Sequence, residues 1–267
     1  MVNICKNSLL SFLLLITLQA QSSSKFSDRE KQHILSDKEG NRKESPMRIL
    51  QTTNRSDSLM LRKECLDIDI SDPLLKTLIA RMSVTMLQNG GVGIAAPQIG
   101  ILRNVFIFVR VDKMLELAQR EQERQKEYAQ FKEKIKQEIE KEEISAKEKR
   151  SLKKKLRIQE KRERAEYKKF GKKIQTEIIE VAINPKIVAH SDSVVCFLGD
   201  GCLSIPDVQG NSLRYAWIDV EYYNRHGAKV REQLSGYDRN GDFTAVIFQH
   251  EYDHIQGVLF IDKLCVE

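Results

Sequence analysis

Gln249-His250-Glu251-Tyr252-Asp253-His254 is the segment of this 267-residue chain with the most evident chemistry. On a helix, positions four apart share a face, so His250 and His254 can present their imidazoles to one metal ion. Glu251, adjacent to a ligand, can then take the proton of a water polarised by that metal. The alternative is a chance pair of surface histidines. The chain has only five histidines, and two of them fall in this spacing directly after the apolar run Phe243–Phe248. That placement favours the metal.

A catalytic site of this kind uses three protein ligands, with an open position for water or substrate. Thirteen residues follow His254, and none is a histidine. A metzincin-like continuation wants histidine at 260, where Phe260 stands, although Gly257 fits. A thermolysin-like glutamate would fall beyond the last residue. The third ligand must therefore come from upstream, and Cys202 in Gly199-Asp200-Gly201-Cys202-Leu203-Ser204-Ile205-Pro206 is the best candidate. Metal ligation keeps such a sulfur as thiolate. A lone cysteine is more often a buried structural thiol, and the incomplete two-histidine set decides for ligation here.

These residues need elements to hold them. Ser71-Asp72-Pro73 predicts a helix start, with Leu74, Leu75, Leu78, Ile79, Met82 and Met86 at helical spacing and a stop at Asn89-Gly90-Gly91. Val105–Arg110, Ile178–Val188 and Trp217–Tyr223 read as strands, and Phe243–Gln256 as a final helix. Pro185 predicts that the second strand lies at a sheet edge or ends there. Strands followed by a helix indicate an α+β fold with a mostly antiparallel sheet around a metal-binding helix.

Charge is distributed unevenly. Residues 112–173 hold 22 Lys/Arg and 14 Asp/Glu, a surplus of eight, while the whole chain carries +6. The remainder is slightly acidic, so the basic pI does not mark the whole protein as nucleic-acid-binding. The segment's Glu, Lys, Arg and Gln content reads as helix, about 90 Å long if unbroken. Flanking strands require the chain to return. An antiparallel hairpin turning near Glu143–Ser151, with Phe131, Ile135, Ile139, Leu152 and Leu156 as a thin seam, would do this. A solvated helical excursion without a partner is the other reading.

At the amino terminus, Lys6, the apolar run Leu9–Leu18 and the polar exit Gln19–Ser24 read as a secretory signal peptide, placed at 1–22. The run is too short to span a membrane; a buried first helix is the alternative. Residues 23–45 are expected to be a flexible linker before a catalytic domain at 46–267. Four cysteines follow the signal-like segment, an even number that admits disulfides, though their spacing matches no familiar framework.

Gly91–Gly100 (GVGIAAPQIG), Gly201–Ser204 (GCLS) and Gln249–Gly257 (QHEYDHIQG) resemble, in order, the three signature segments of peptide deformylases. The flanking Met47–Leu61 and Phe260–Leu264 are also similar to that family. The resemblance implies removal of the formyl group from N-formylmethionyl peptides or nascent chains. It implies one divalent metal on Cys202, His250 and His254, usually Fe(II), with Zn(II) or another ion possible. It makes Glu251 the proton carrier, and Gln98 with the Leu203 N–H the donors to the oxyanion. Gly91 and Gly93 would leave room for the substrate backbone, and Val92, Leu198, Val246 and Ile247 would line the methionine pocket. Asp200 stands where the family usually has glutamate, so its shorter arm is expected to weaken contacts to the cysteine loop or to Arg214.

Two other functions fit parts of the chain. One is a low-activity, deformylase-derived protein that binds metal or peptide and docks through the insertion. The other is a metalloendoprotease, which the missing downstream ligand disfavours. The insertion's surplus charge suggests an anionic partner: RNA, the ribosome or a membrane surface. The signal-like segment suggests export to a periplasm or the outside, or delivery to an organelle by the secretory route. Without a signal the protein would be cytoplasmic.

Overall fold

The computed structural model describes residues 24–36 and 45–265, so the signal-like segment at 1–22 lies outside the described residues. The chain forms α1 (Asp28–Leu35), α2 (Arg55–Leu61), α3 (Leu75–Gln88), β1 (Gly93–Ala95), β2 (Val105–Val109), α4 (Val111–Glu140) and α5 (Ala146–Glu177). There follow β3 (Ile179–His190), β4 (Val194–Cys202), β5 (Ile205–Tyr215), β6 (Trp217–Tyr223), β7 (Lys229–Ser235) and α6 (Thr244–Ile255). The first five-stranded sheet runs β1-β2-β3-β6-β7, all antiparallel, and β4 pairs with β5 in a separate hairpin. This is the α+β, mainly antiparallel arrangement expected.

α6 is the hub. Every residue from Thr244 to Ile255 except Tyr252 is buried, as befits a helix enclosed by other elements. Phe248 meets Phe106 and Phe108 of β2 edge-on, with ring centroids 4.9 and 5.3 Å apart. Each such pair adds about 0.5–1.5 kcal/mol beyond simple burial. Gln249 fastens the helix to β5, accepting from the Tyr215 N–H at 2.8 Å and donating to the Tyr215 carbonyl at 3.0 Å. The helix that carries both histidines is therefore held from two sides.

Several expectations change. Pro185 neither ends its strand nor marks an edge, because β3 is the central strand. The ladder to β6 slips between Ile183 and Lys186, and Asn184 takes φ 51°, so the proline occupies a bulge where no ladder hydrogen bond is lost. Asp72 does not cap α3 directly. It accepts from the Leu74 N–H at 2.9 Å and the Phe26 N–H at 3.1 Å, joining the helix entry to the amino-terminal segment. The strands β1, β4, β5 and β7 had no sequence forecast: β4 and β5 do not alternate cleanly, and β7 alternates but puts Glu232 on its inward face.

The linker assigned to 23–45 is the largest correction. Residues 24–36 are folded onto the domain: Phe26 and Ile34 are buried, and α1 has a Ser27–Glu30 capping box. Arg103 donates to both Glu30 carboxylate oxygens at 2.7 and 2.8 Å. Two apolar anchors, this ion pair and hydrogen bonds from Arg81 to the Ile34 and Ser36 carbonyls and from Arg103 to Ser24 and the Lys25 carbonyl dock a segment that is otherwise polar. Residues 37–44 lie outside the described residues.

The insertion is an antiparallel hairpin, α4 returning as α5, with the turn at 141–145. Ile135 is buried, Phe131, Ile139, Leu152 and Leu156 are half-buried, and Arg124 pairs with Glu163 across the seam. Its base belongs to the domain: Val111 is in the core, and Asp112 exchanges hydrogen bonds with Thr244 at the start of α6. The four cysteines resolve into one disulfide, Cys196–Cys265, and two free thiols, Cys65 and Cys202.

Candidate metal centre and substrate cleft

The β4–β5 hairpin brings its tight turn, Cys202 to Ile205, against the buried face of α6. One donor atom each from Cys202, His250 and His254 then lie within 4.8 Å of one another. The Cys202 Sγ is 3.2 Å from the His254 Nε2. Backbone straps fix the turn: the Thr52 N–H donates to the Ser204 carbonyl at 2.9 Å, and the Gln51 side chain to the Leu203 carbonyl at 3.0 Å. Residues near the start of the catalytic domain therefore hold a ligand some 150 positions on.

Behind the histidines lies a buried ionic chain. The Asp200 Oδ1 is 3.1 Å from the His250 Nδ1, and its Oδ2 accepts from Arg214 at 2.8 Å and from the Ser212 hydroxyl at 2.6 Å. Arg214 also donates to Asp253 at 2.6 Å, and Lys263 reaches the other Asp253 oxygen at 2.6 Å. The expected weakness of the short Asp200 arm is absent, since the carboxylate meets both His250 and Arg214 at full hydrogen-bond distance. Burial works to keep Asp200 neutral, but His250 and Arg214 prevail and hold its carboxyl well below the usual range. Burial likewise opposes charge on His250, yet Asp200 and Cys202 raise it well above the ordinary imidazole value. His254 goes the other way, pushed down by burial and by its neighbour His250. Asp200 thus fixes the proton on the His250 Nδ1 and leaves Nε2 to face the sulfur, a common support for a ligand histidine.

The site fits a divalent ion. Its donors are one sulfur and two imidazole nitrogens, suited to Fe(II) or Zn(II), and three protein ligands leave room for a further one. Two buried polar atoms here, the Glu251 Oε2 and the His254 Nδ1, lack hydrogen-bond partners among the described residues. Burial raises the Glu251 carboxyl to about 8. A carboxyl poised there can both accept and return a proton near neutrality.

Gly93, which lines the cleft, also has a task beyond the expected one. A Cβ at that position would lie 2.8 Å from the Glu251 carboxyl carbon and overlap its Oε1, so the glycine makes room for the glutamate. Gln98 is fixed by its own carbonyl oxygen, which accepts from the Ala95 N–H at 2.7 Å. Its Nε2 then points to Ser204 Oγ at 3.3 Å and Cys202 Sγ at 3.5 Å, beside the donor cluster.

A cleft of about 760 Å³ opens over these groups, lined among others by Val92, Gly93, Gln98, Leu203, Val246, Ile247 and Glu251. Leu198 is a correction. It is 62% exposed and faces a separate surface hollow, whereas Phe197 is buried and lines the cleft. Adjacent residues of an extended strand point to opposite faces, so Phe197 and Leu198 cannot both line the cleft. Phe243 completes the wall, its ring stacked on Phe197 at 5.9 Å. Phe197, Phe243, Gln51, Ser212 and Asp253 were not assigned from sequence. Asp253 alone carried a signal, being an acid three positions after a ligand on a helix with no polar face.

Three residues that could hold a metal, an adjacent carboxyl and a cleft of mixed polar and apolar lining are the features of a metal hydrolase. The polypeptide deformylase family model matches residues 46–266. A peptide deformylase of Christiangramia forsetii is 31% identical over 205 residues, covering 77% of this chain and 76% of the relative. Peptide deformylase 2 of a Nostoc species is 48% identical over 82 residues, an alignment spanning 31% of this chain and 42% of that relative. The Thermotoga maritima peptide deformylase structure superposes with TM-score 0.52 at 25% identity, covering 83% of this chain and 99% of that one. The chain belongs to the polypeptide deformylase family and is a metal-dependent hydrolase that removes formyl groups.

Proposed function

We propose that the chain deformylates N-formylmethionyl peptides with one divalent ion, Fe(II) foremost, on Cys202, His250 and His254. The carrying observation is the convergence of these three donors with Glu251 at a cleft that also presents Val92, Phe197, Phe243, Val246 and Ile247. The bound ion supplies Lewis acidity and a more acidic water. Glu251 takes the water's proton on its carboxylate and later delivers it to the departing amine nitrogen. Gln98 Nε2 and the Leu203 N–H donate to the oxygen where negative charge develops, each donor worth about 3–4 kcal/mol in such a site. Val92, Phe197, Phe243, Val246 and Ile247 hold the methionine side chain and exclude water. Protein loaded anaerobically with Fe(II) should release formate from formyl-Met-Ala-Ser. Full metal occupancy with no formate would favour the binding-only alternative.

We further propose that the protein works outside a reducing cytosol. The apolar run at 9–18 and the Cys196–Cys265 disulfide both support this, since disulfides persist in oxidising compartments. Amino-terminal sequencing of the native protein, with thiol titration, tests it. An intact Met1 and five free thiols would oppose it.

A further inference from the structure

The two helices of the insertion are not equivalent in charge. α4 carries seven Lys/Arg and eight Asp/Glu, whereas α5 carries 14 and five. On α4, opposite charges alternate and pair along the helix, as with Arg124–Glu121 at 2.7 Å, the usual pattern of a solvated helix. On α5 the cations are sorted. Arg150, Lys154, Arg157, Lys161, Arg164 and Lys168 recur every three or four residues, so they lie within about 40° either side of one line along the helix. All six are exposed, and none has a carboxylate within ion-pair distance among the described residues. The α5 acids at 148, 160, 163 and 166 fall off that line. The opposite face of α5 carries Leu152, Leu156 and Glu163, which pack or pair with α4. The stripe therefore looks away from the hairpin partner.

We infer that this stripe is a docking ridge for the phosphate backbone of structured RNA. It spans about 27 Å, with a cation roughly every 5 Å. A straight row of unpaired cations matches a phosphate row, and sequence-blind RNA helix binding uses such contacts. A bilayer fits less well. Membrane-surface helices place a continuous apolar face beside their basic one; on α5, Leu152 and Leu156 pack toward α4, and the exposed Ile158 and Tyr167 stand singly on opposite sides of the stripe. The choice of RNA over DNA rests on the formyl-methionine reading and on delivery to an organelle by the secretory route, the destination outside the cytosol where formylated chains would be translated. Docking would hold the cleft near emerging chains without altering its chemistry.

The test titrates the full-length protein, metal-loaded, against an RNA duplex of about 20 base pairs, the equivalent DNA duplex, and phosphatidylserine-rich vesicles, between about 50 and 200 mM salt. The stripe variant is Lys154→Gln, Arg157→Gln and Lys161→Gln together. A charge-matched control is Lys126→Gln, Lys134→Gln and Lys136→Gln on α4. The intact protein should bind RNA at least as tightly as DNA and more tightly than vesicles. The stripe variant should lose on the order of a hundredfold in affinity at low salt, with the log–log salt slope reduced by about three. Arg157→Gln alone should reduce it by about one. The control should lose much less. Turnover of formyl-Met-Ala-Ser should be the same in all, so loss of RNA binding with intact turnover reads on the stripe and not on the catalytic assignment. Equal losses in stripe and control variants, tighter binding to DNA or vesicles, or no RNA binding by the intact protein would overturn the inference.

Discussion

Behind the cleft, Arg214 is fully buried between Asp200 and Asp253, whereas on the hairpin Lys141 and Lys169 pair with Glu138 and Glu166 in open water. The same residue types do different things in the two places. A buried ion pair is a commitment, because losing one partner strands the other charge without solvent. A surface pair contributes roughly 0–1 kcal/mol, since water replaces either partner at little cost. The cleft has therefore a fixed geometry that chemistry can use. The hairpin keeps its charges free for something outside the molecule.

Removing a ligand should give the largest effect in the molecule. Cys202→Ser and His254→Ala should each lose most of the bound metal by elemental analysis and lower kcat/KM by at least about a thousandfold, since the metal supplies the activated water. Metal at wild-type stoichiometry in both would break the site. Next comes the support behind it. Arg214→Ala leaves two buried carboxylates facing each other and should destabilise by about 3–5 kcal/mol, measured by urea unfolding with metal held constant. A change below about 1 kcal/mol would put this network in the surface class.

Gly93→Ala is smaller and more local. The added methyl collides with the Glu251 carboxyl, and overpacking of this kind costs about 1–3 kcal/mol. It should depress kcat more than it raises KM. Unchanged kinetics would show that Glu251 does not need the close approach. Smallest of all should be the hairpin. Replacing 121–169 by a short Gly/Ser turn keeps Val111, Asp112 and Leu117 in place, so short-peptide turnover should stay within about twofold and Lys141→Ala should change stability by less than about 1 kcal/mol. Collapse of the fold on shortening would mean that the arm props the domain.

How much of this was legible in the sequence follows from how locally each feature is encoded. His250, Glu251 and His254 sit within one helical turn, so their spacing alone declares them. Cys202 could be reached by elimination. The charged hairpin was visible in composition, and its turn fell within a few residues of the forecast. Leu198 rested on the family resemblance, and choosing Phe197 instead needed the phase of β4, which the bulge near Gly199 hides from the sequence. The docked segment at 24–36 was missed for a related reason. Its two anchors, Phe26 and Ile34, are few, and the Arg103–Glu30 pair that secures it joins residues 73 positions apart. Gln51 and Thr52 likewise act on a turn far along the chain, and only the folded structure brings them there.

The proposed mechanism requires Glu251 to carry protons and not to hold metal. Glu251→Gln keeps the size of the side chain and removes only the basic carboxylate. Metal content and formate release should be measured on the same preparation, loaded anaerobically beside the wild type. Full metal occupancy with kcat lowered by a factor of about 10²–10⁴ or more is the predicted result. Loss of metal in step with activity, or turnover close to wild type, would contradict it.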